Sequence, residues 1–100
     1  MINKPSGRSR IAAEELAIAA LGFIAADTER LGRFLAATGI GPGDIRAAAR
    51  EPLFLAGVLD HLAGNEPLLT AFAAESGADP AGILRSRDTL AGRVWESDTP

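Results

Sequence analysis

The chain has 100 residues, 47% of them hydrophobic but only 5% aromatic, with twenty alanines, a formal charge of −3 and no cysteine. That length suits one domain with one core, and apolar volume spread over alanine suits closely packed helices. A chain without cysteine has no disulfide framework, thiolate nucleophile or cysteine metal site, which makes the cytoplasm the expected compartment.

Residues 1–10 carry Lys4, Arg8 and Arg10 and no acid, and read as a disordered basic tail. Residues 11–92 hold eleven acids against six arginines. A body of that sign argues against nucleic acid as a partner, because such binding draws much of its affinity from neutralised phosphates.

Helix begins near Ala12, with Glu14 and Glu15 complementing the dipole of its first turn. Leu16, Ile18, Leu21, Phe23 and Ile24, interleaved with alanine, leave no polar stripe. Such a helix is either central or covered by a second subunit, so a homodimer through residues 16–26 stands beside the core reading. Gly22 costs this helix about 1 kcal/mol relative to alanine unless close packing needs the space. The apolar run Leu16–Ala26 is too short to span a membrane, which takes roughly 20 residues. Glu14, Glu15 and a poor cleavage sequence at Ile24-Ala25-Ala26 also argue against a secretory leader.

Asp27 or Thr28 caps a second helix, with Leu31, Phe34 and Leu35 facing inward and Glu29 placed to pair with Arg33. Gly39 then fits a left-handed helix end, Gly41 an N-cap and Pro42 a first helical position. Ile40 and Ile45 occupy the positions of a hydrophobic staple around that corner. A short third helix turns Ile45, Ala48 and Ala49 inward and Arg46 and Arg50 outward.

Pro52 to Phe72 is the densest apolar stretch and reads as the hairpin on which the rest is organised. Leu55, Val58, Leu59 and Leu62 recur at helical spacing, Gly64 ends that helix, Asn65 caps the next, and Leu68, Leu69 and Phe72 continue the stripe. Ser76-Gly77-Ala78-Asp79-Pro80 repeats the glycine, cap and proline punctuation. The last helix carries Ile83, Leu84 and Leu90 and ends near Gly92, and residues 93–100 form a tail whose Val94 and Trp95 fold back as a lid. At an offset of 38, Phe34 falls on Phe72, Thr38 on Ser76, Gly39 on Gly77, Pro42 on Pro80 and Ile45 on Ile83. The match resembles a duplicated helical corner, and two copies are too few for a solenoid.

Two constellations bear on chemistry. The Gly39–Gly43 turn resembles the hairpin of helix-hairpin-helix modules, in which backbone amides at a helix end meet a nucleic-acid phosphate. Gly39, Gly41, Arg46 and Arg50 would be its phosphate-binding residues. Asp44 at the same helix end and the acidic body count against it, and a structural corner is the simpler reading. His61, the one histidine, stands beside Asp60 and five residues before Glu66. Acid-base work would need those groups to converge, and with no second histidine, cysteine or nearby serine the pattern points to neither an enzyme nor a metal site, and to no cofactor.

Taken together, Ala17-Ile18-Ala19-Ala20-Leu21, Leu31-Gly32-Arg33-Phe34-Leu35, Thr38-Gly39-Ile40-Gly41-Pro42, Asp44-Ile45-Arg46, Val58-Leu59-Asp60 and Asn65-Glu66-Pro67-Leu68-Leu69 carry a family resemblance. From about Ala13 to Leu90 the chain resembles the bacterial family known as domain of unknown function 3572. The resemblance implies short, cytoplasmic, helical proteins, chiefly of alphaproteobacteria, with no assigned activity and no functional residue to carry over. The expected architecture is all-α, a small irregular and partly orthogonal bundle of five or six short helices. The expected role is a non-enzymatic protein-interaction module.

Overall fold

The computed structural model describes residues 7–92. Its helices are α1 (Gly7–Ala25), α2 (Thr28–Thr38), α3 (Ile45–Ala48), α4 (Pro52–Ala63), α5 (Glu66–Ser76) and α6 (Pro80–Ala91), with one turn of 3₁₀ helix at Pro42–Asp44 leading into α3. The fold is a small all-α bundle, as the sequence indicates. The Val94 and Trp95 lid lies outside the described residues.

Two expectations about the elements change. Helix α1 begins at Gly7, so residues 7–10, read as tail, form its first turns. Ser9, Ala12 and Leu16 line an open groove opposite Ala78, Gly82 and Ser86, so the added turns extend α1 along the start of α6. The centre of the bundle is also not the hairpin of α4 and α5. Helix α4 is central, with Val58, Leu59 and Leu62 fully buried, but its main neighbours are α6 and α1, while α5 packs more lightly at the side.

The corners follow the sequence closely. Asp27 adopts extended backbone and its carboxylate accepts from the N–H groups of Glu29 at 2.8 Å and Arg30 at 3.2 Å. Those hydrogen bonds, Arg30 first, hold the Asp27 carboxyl below its ordinary pKa. Asn65 caps α5 in the same way, accepting from Leu68 N–H at 3.2 Å. Asp79 stands at the N-cap of α6 but its side chain makes no capping hydrogen bond. Gly39 and Gly77 terminate α2 and α5 in the left-handed region, at φ, ψ of 73°, 7° and 75°, 6°.

The 38-residue correspondence extends well beyond these corners. Helices α2 and α5 are each 11 residues long, and their N-caps and C-caps fall at matching positions. Thr38 Oγ1 donates to the Phe34 carbonyl at 2.9 Å and accepts from Ile40 N–H at 3.3 Å; Ser76 Oγ donates to the Phe72 carbonyl at 2.7 Å and accepts from Ala78 N–H at 3.2 Å. Helices α1 and α4 end at matching residues, Ala25 and Ala63, and bury matching side chains: Ala17 with Leu55, Ala20 with Val58, Leu21 with Leu59, Ile24 with Leu62.

The two halves also meet reciprocally. Phe23 in the first half packs on Phe72 in the second, with ring centroids 5.4 Å apart, and its counterpart His61 packs on Phe34, the counterpart of Phe72, at 5.2 Å. Contacts of the kind i to j and j to i are the mark of a two-fold relation. The chain is thus two similar halves, α1–α3 and α4–α6, matched in their first two helices and joined by this reciprocal pair of ring contacts. The halves differ in their third helix: α6 runs for 12 residues, whereas its counterpart α3 stops after 4.

Candidate interaction groove

The short α3 leaves part of α1 open. Helix α1 turns Ala13, Ala17, Ala20, Leu21 and Ile24 into the core, yet Ile18 is 52% exposed and Ile11 58%. The helix thus has both a core side and an uncovered apolar side. Between α1 and α3 lies an open groove of about 480 Å³, in which Ile18, Leu21, Gly22 and Ala25 face Ile45 and Ala49. Pro42 closes one wall, and Arg46 supplies its one formal charge.

Gly22 occupies the interior of α1 with open space around it: a Cβ added there would meet nothing within 4 Å. The helix-propensity cost of glycine, about 1 kcal/mol relative to alanine, is thus not offset by any close approach among the described residues. Aligning the two halves explains what is missing. Gly22 and Ala49 fall on Asp60 and Arg87, which in the second half are joined by an ion pair, Arg87 Nη1 to Asp60 Oδ1 at 3.4 Å. Where the second half has an aspartate and an arginine bridging α4 and α6, the first half has a hydrogen and a methyl group.

The polar candidates are drawn into local structure. Ile40 N–H, one of the amides a phosphate would use at the Gly39 corner, is satisfied by Thr38 Oγ1, and Asp44 N–H donates to the Gly41 carbonyl at 2.9 Å. The Asp44 carboxylate folds back over Gly41, 3.1 Å from the point a Cβ there would occupy. Gly39 is exposed at the corner, Arg46 lines the apolar groove and Arg50 is exposed beyond α3, so the four residues do not share one anion-facing cradle.

His61, Asp60 and Glu66 are likewise not gathered. Asp60 engages Arg87, Glu66 opens α5, and among the described residues no hydrogen bond or ion pair joins either carboxylate to the imidazole. The His61 ring instead stands edge-on to Phe34 at an interplanar angle of 82°, and burial lowers its pKa below the usual histidine value. Among the described residues no group of three or more metal-ligating side chains occurs.

A more polar cleft of about 320 Å³ separates α2 from α5. Its cations are held locally: the Arg30 guanidinium lies 4.0 Å from the centroid of the Phe23 ring, and Arg33 pairs with Glu29 at 3.6 Å.

A family model described as "Protein of unknown function (DUF3572)" matches residues 10–93. The chain belongs to this family. The match spans both halves and both corners of the DUF3572 fold, so the groove lies wholly within the family domain. No curated protein and no solved structure matches the chain. Among the described residues no helix is long and apolar enough to cross a membrane.

The groove was not visible in single residues. Its signal lay in the same 38-residue alignment that relates the corners, extended to the glycine and alanine that replace an acid and a base.

Proposed function

We propose that this DUF3572 protein is a non-enzymatic interaction domain of the bacterial cytoplasm, and that the groove between α1 and α3 is the surface by which it docks a protein partner. The observation that carries the reading is the conjunction at one place of an uncovered isoleucine, an unpacked mid-helix glycine and an apolar floor. Scattered exposed apolar residues are ordinary, but a concave apolar site rimmed by charge marks recognition. An apolar helix face fits such a site, with its side chains entering the groove at helical spacing.

Site-specific photo-crosslinking in the protein's own cells tests this. A photoreactive residue at Ala25, exposed in the groove, is expected to give protein adducts, whereas one at Ala81, exposed on α6 outside it, is expected to give few. Equal yields at the two positions, or none at Ala25, would overturn the reading.

A further inference from the structure

We propose that the partner in this groove is a second copy of the same chain, with Ile18 of each protomer seated over Gly22 of the other. The inference rests on the groove being a docking surface and assigns its occupant.

Three observations lead to this occupant. The first is self-complementarity. A knob, Ile18, 52% exposed, and a hole, Gly22, with nothing within 4 Å of its missing Cβ, stand one helical turn apart on the same face of α1. When two copies of such a face meet across a two-fold axis, each knob enters the other's hole, because an isologous contact of residue 18 with residue 22 requires the reverse contact as well.

Charge supplies the second. Arg46 lines the groove and pairs with no acid among the described residues. The helix that carries the knob carries Glu14 and Glu15 about one turn before it, so an approaching α1 brings opposite charge together with its apolar side chain. In an antiparallel approach centred on the 18-to-22 contact, Glu14 and Glu15 of one protomer come beside the Ala25 end of the other's groove.

The third is precedent within the molecule. Helices α1 and α4 already pack against each other, and each meets the other half through a ring contact, Phe23 on Phe72 and His61 on Phe34. On the second half, the surface equivalent to the groove is covered by the longer α6, with Asp60 and Arg87 joining it to α4. That closure is absent only from the half whose α1 also exposes an isoleucine; the residue matching Ile18 in α4 is Ala56, which is buried. One face of the unit is sealed by its own chain, and the matching face is left open with a ready-made plug beside it.

The test uses the purified full chain in sedimentation equilibrium over a hundredfold range of concentration. The wild type is expected to move from a mass near 10.3 kDa towards twice that value. Ile18→Glu, at a position 52% exposed, is expected to keep the helical circular dichroism of the wild type and to raise the dissociation constant at least tenfold. Leu53→Glu alters the most exposed large apolar side chain among the described residues, at 73%, outside the groove, and is expected to change it less than twofold. The double variant Gly22→Asp with Ala49→Arg copies the Asp60 and Arg87 closure into the first half and is expected to be folded and monomeric. A wild type that stays monomeric into the millimolar range overturns the assignment, as does a dimer indifferent to Ile18→Glu or broken by Leu53→Glu. If the wild type is monomeric while Ala25 still crosslinks to a different protein in cells, the second copy is excluded and the docking surface stands. If both measurements fail, the docking surface fails with it.

Discussion

The two-fold arrangement predicts an inequality between its two buried phenylalanines. Phe34 is 0% exposed and meets two rings near edge-on, Phe54 at 5.9 Å and His61 at 5.2 Å; Phe72 is 2% exposed and meets one described ring, Phe23, at 5.4 Å. Replacing either by leucine keeps an apolar side chain in place, and the loss of volume is the same at both sites. What differs is the ring contacts, each worth about 0.5–1.5 kcal/mol beyond the area it buries. Phe34→Leu therefore forfeits roughly twice the ring energy of Phe72→Leu, a difference on the order of 1 kcal/mol. Urea unfolding followed by circular dichroism, at one protein concentration and at about pH 7.5 where His61 is neutral, reads this difference as a midpoint shift of roughly 0.3–1 M for urea m-values of 1–3 kcal/mol/M. Equal midpoints, or a Phe72→Leu variant less stable than Phe34→Leu, would refute the assignment of ring partners.

Other consequences concern pH, backbone and charge. Burial lowers the His61 pKa, so the folded state favours the neutral ring: its contribution is complete above the unfolded value of about 6.5 and is lost as pH falls through the lower folded one. Urea midpoints should fall in that window for the wild type and stay flatter in His61→Phe, which copies Phe23; identical profiles would contradict this. Gly39→Ala and Gly77→Ala should each cost about 1–2 kcal/mol, and by the same amount, because both positions have φ near +75° and open space for a Cβ. Unequal costs in parallel thermal melts would show that the two corners are not equivalent. Labelled duplex DNA titrated at low salt should show no saturable binding, since the Gly39, Ile40 and Asp44 amides of that corner are engaged and the Asp44 carboxylate lies over it; binding weakened by Arg46→Glu with Arg50→Glu would restore the nucleic-acid reading.

What was legible in the sequence was what local chemistry decides. Gly39, Gly77, Pro42, Pro80, Asp27 and Asn65 each impose their conformation on two or three neighbours, so the corners and helix ends were readable to within a residue. The start of α1 was not, because Ser9 and Arg10 have no apolar period by which a helix could be read. His61 illustrates the same limit: its sequence neighbours Asp60 and Glu66 suggested chemistry, but its partner is Phe34, placed there by the two-fold. The groove depends on the absence of side chains at Gly22 and Ala49, and an absence has no local pattern to read. The early match of α2's corner to α5's corner contained it, once continued into the flanking helices.

The most direct measurement is a set of intermolecular nuclear Overhauser contacts in a mixed sample of labelled and unlabelled protein. The two-copy account predicts cross-peaks from the Ile18 methyl groups to the Gly22 and Ala49 protons of the other protomer. Cross-peaks centred on Leu53, or none at concentrations where the mass is that of a dimer, would contradict it.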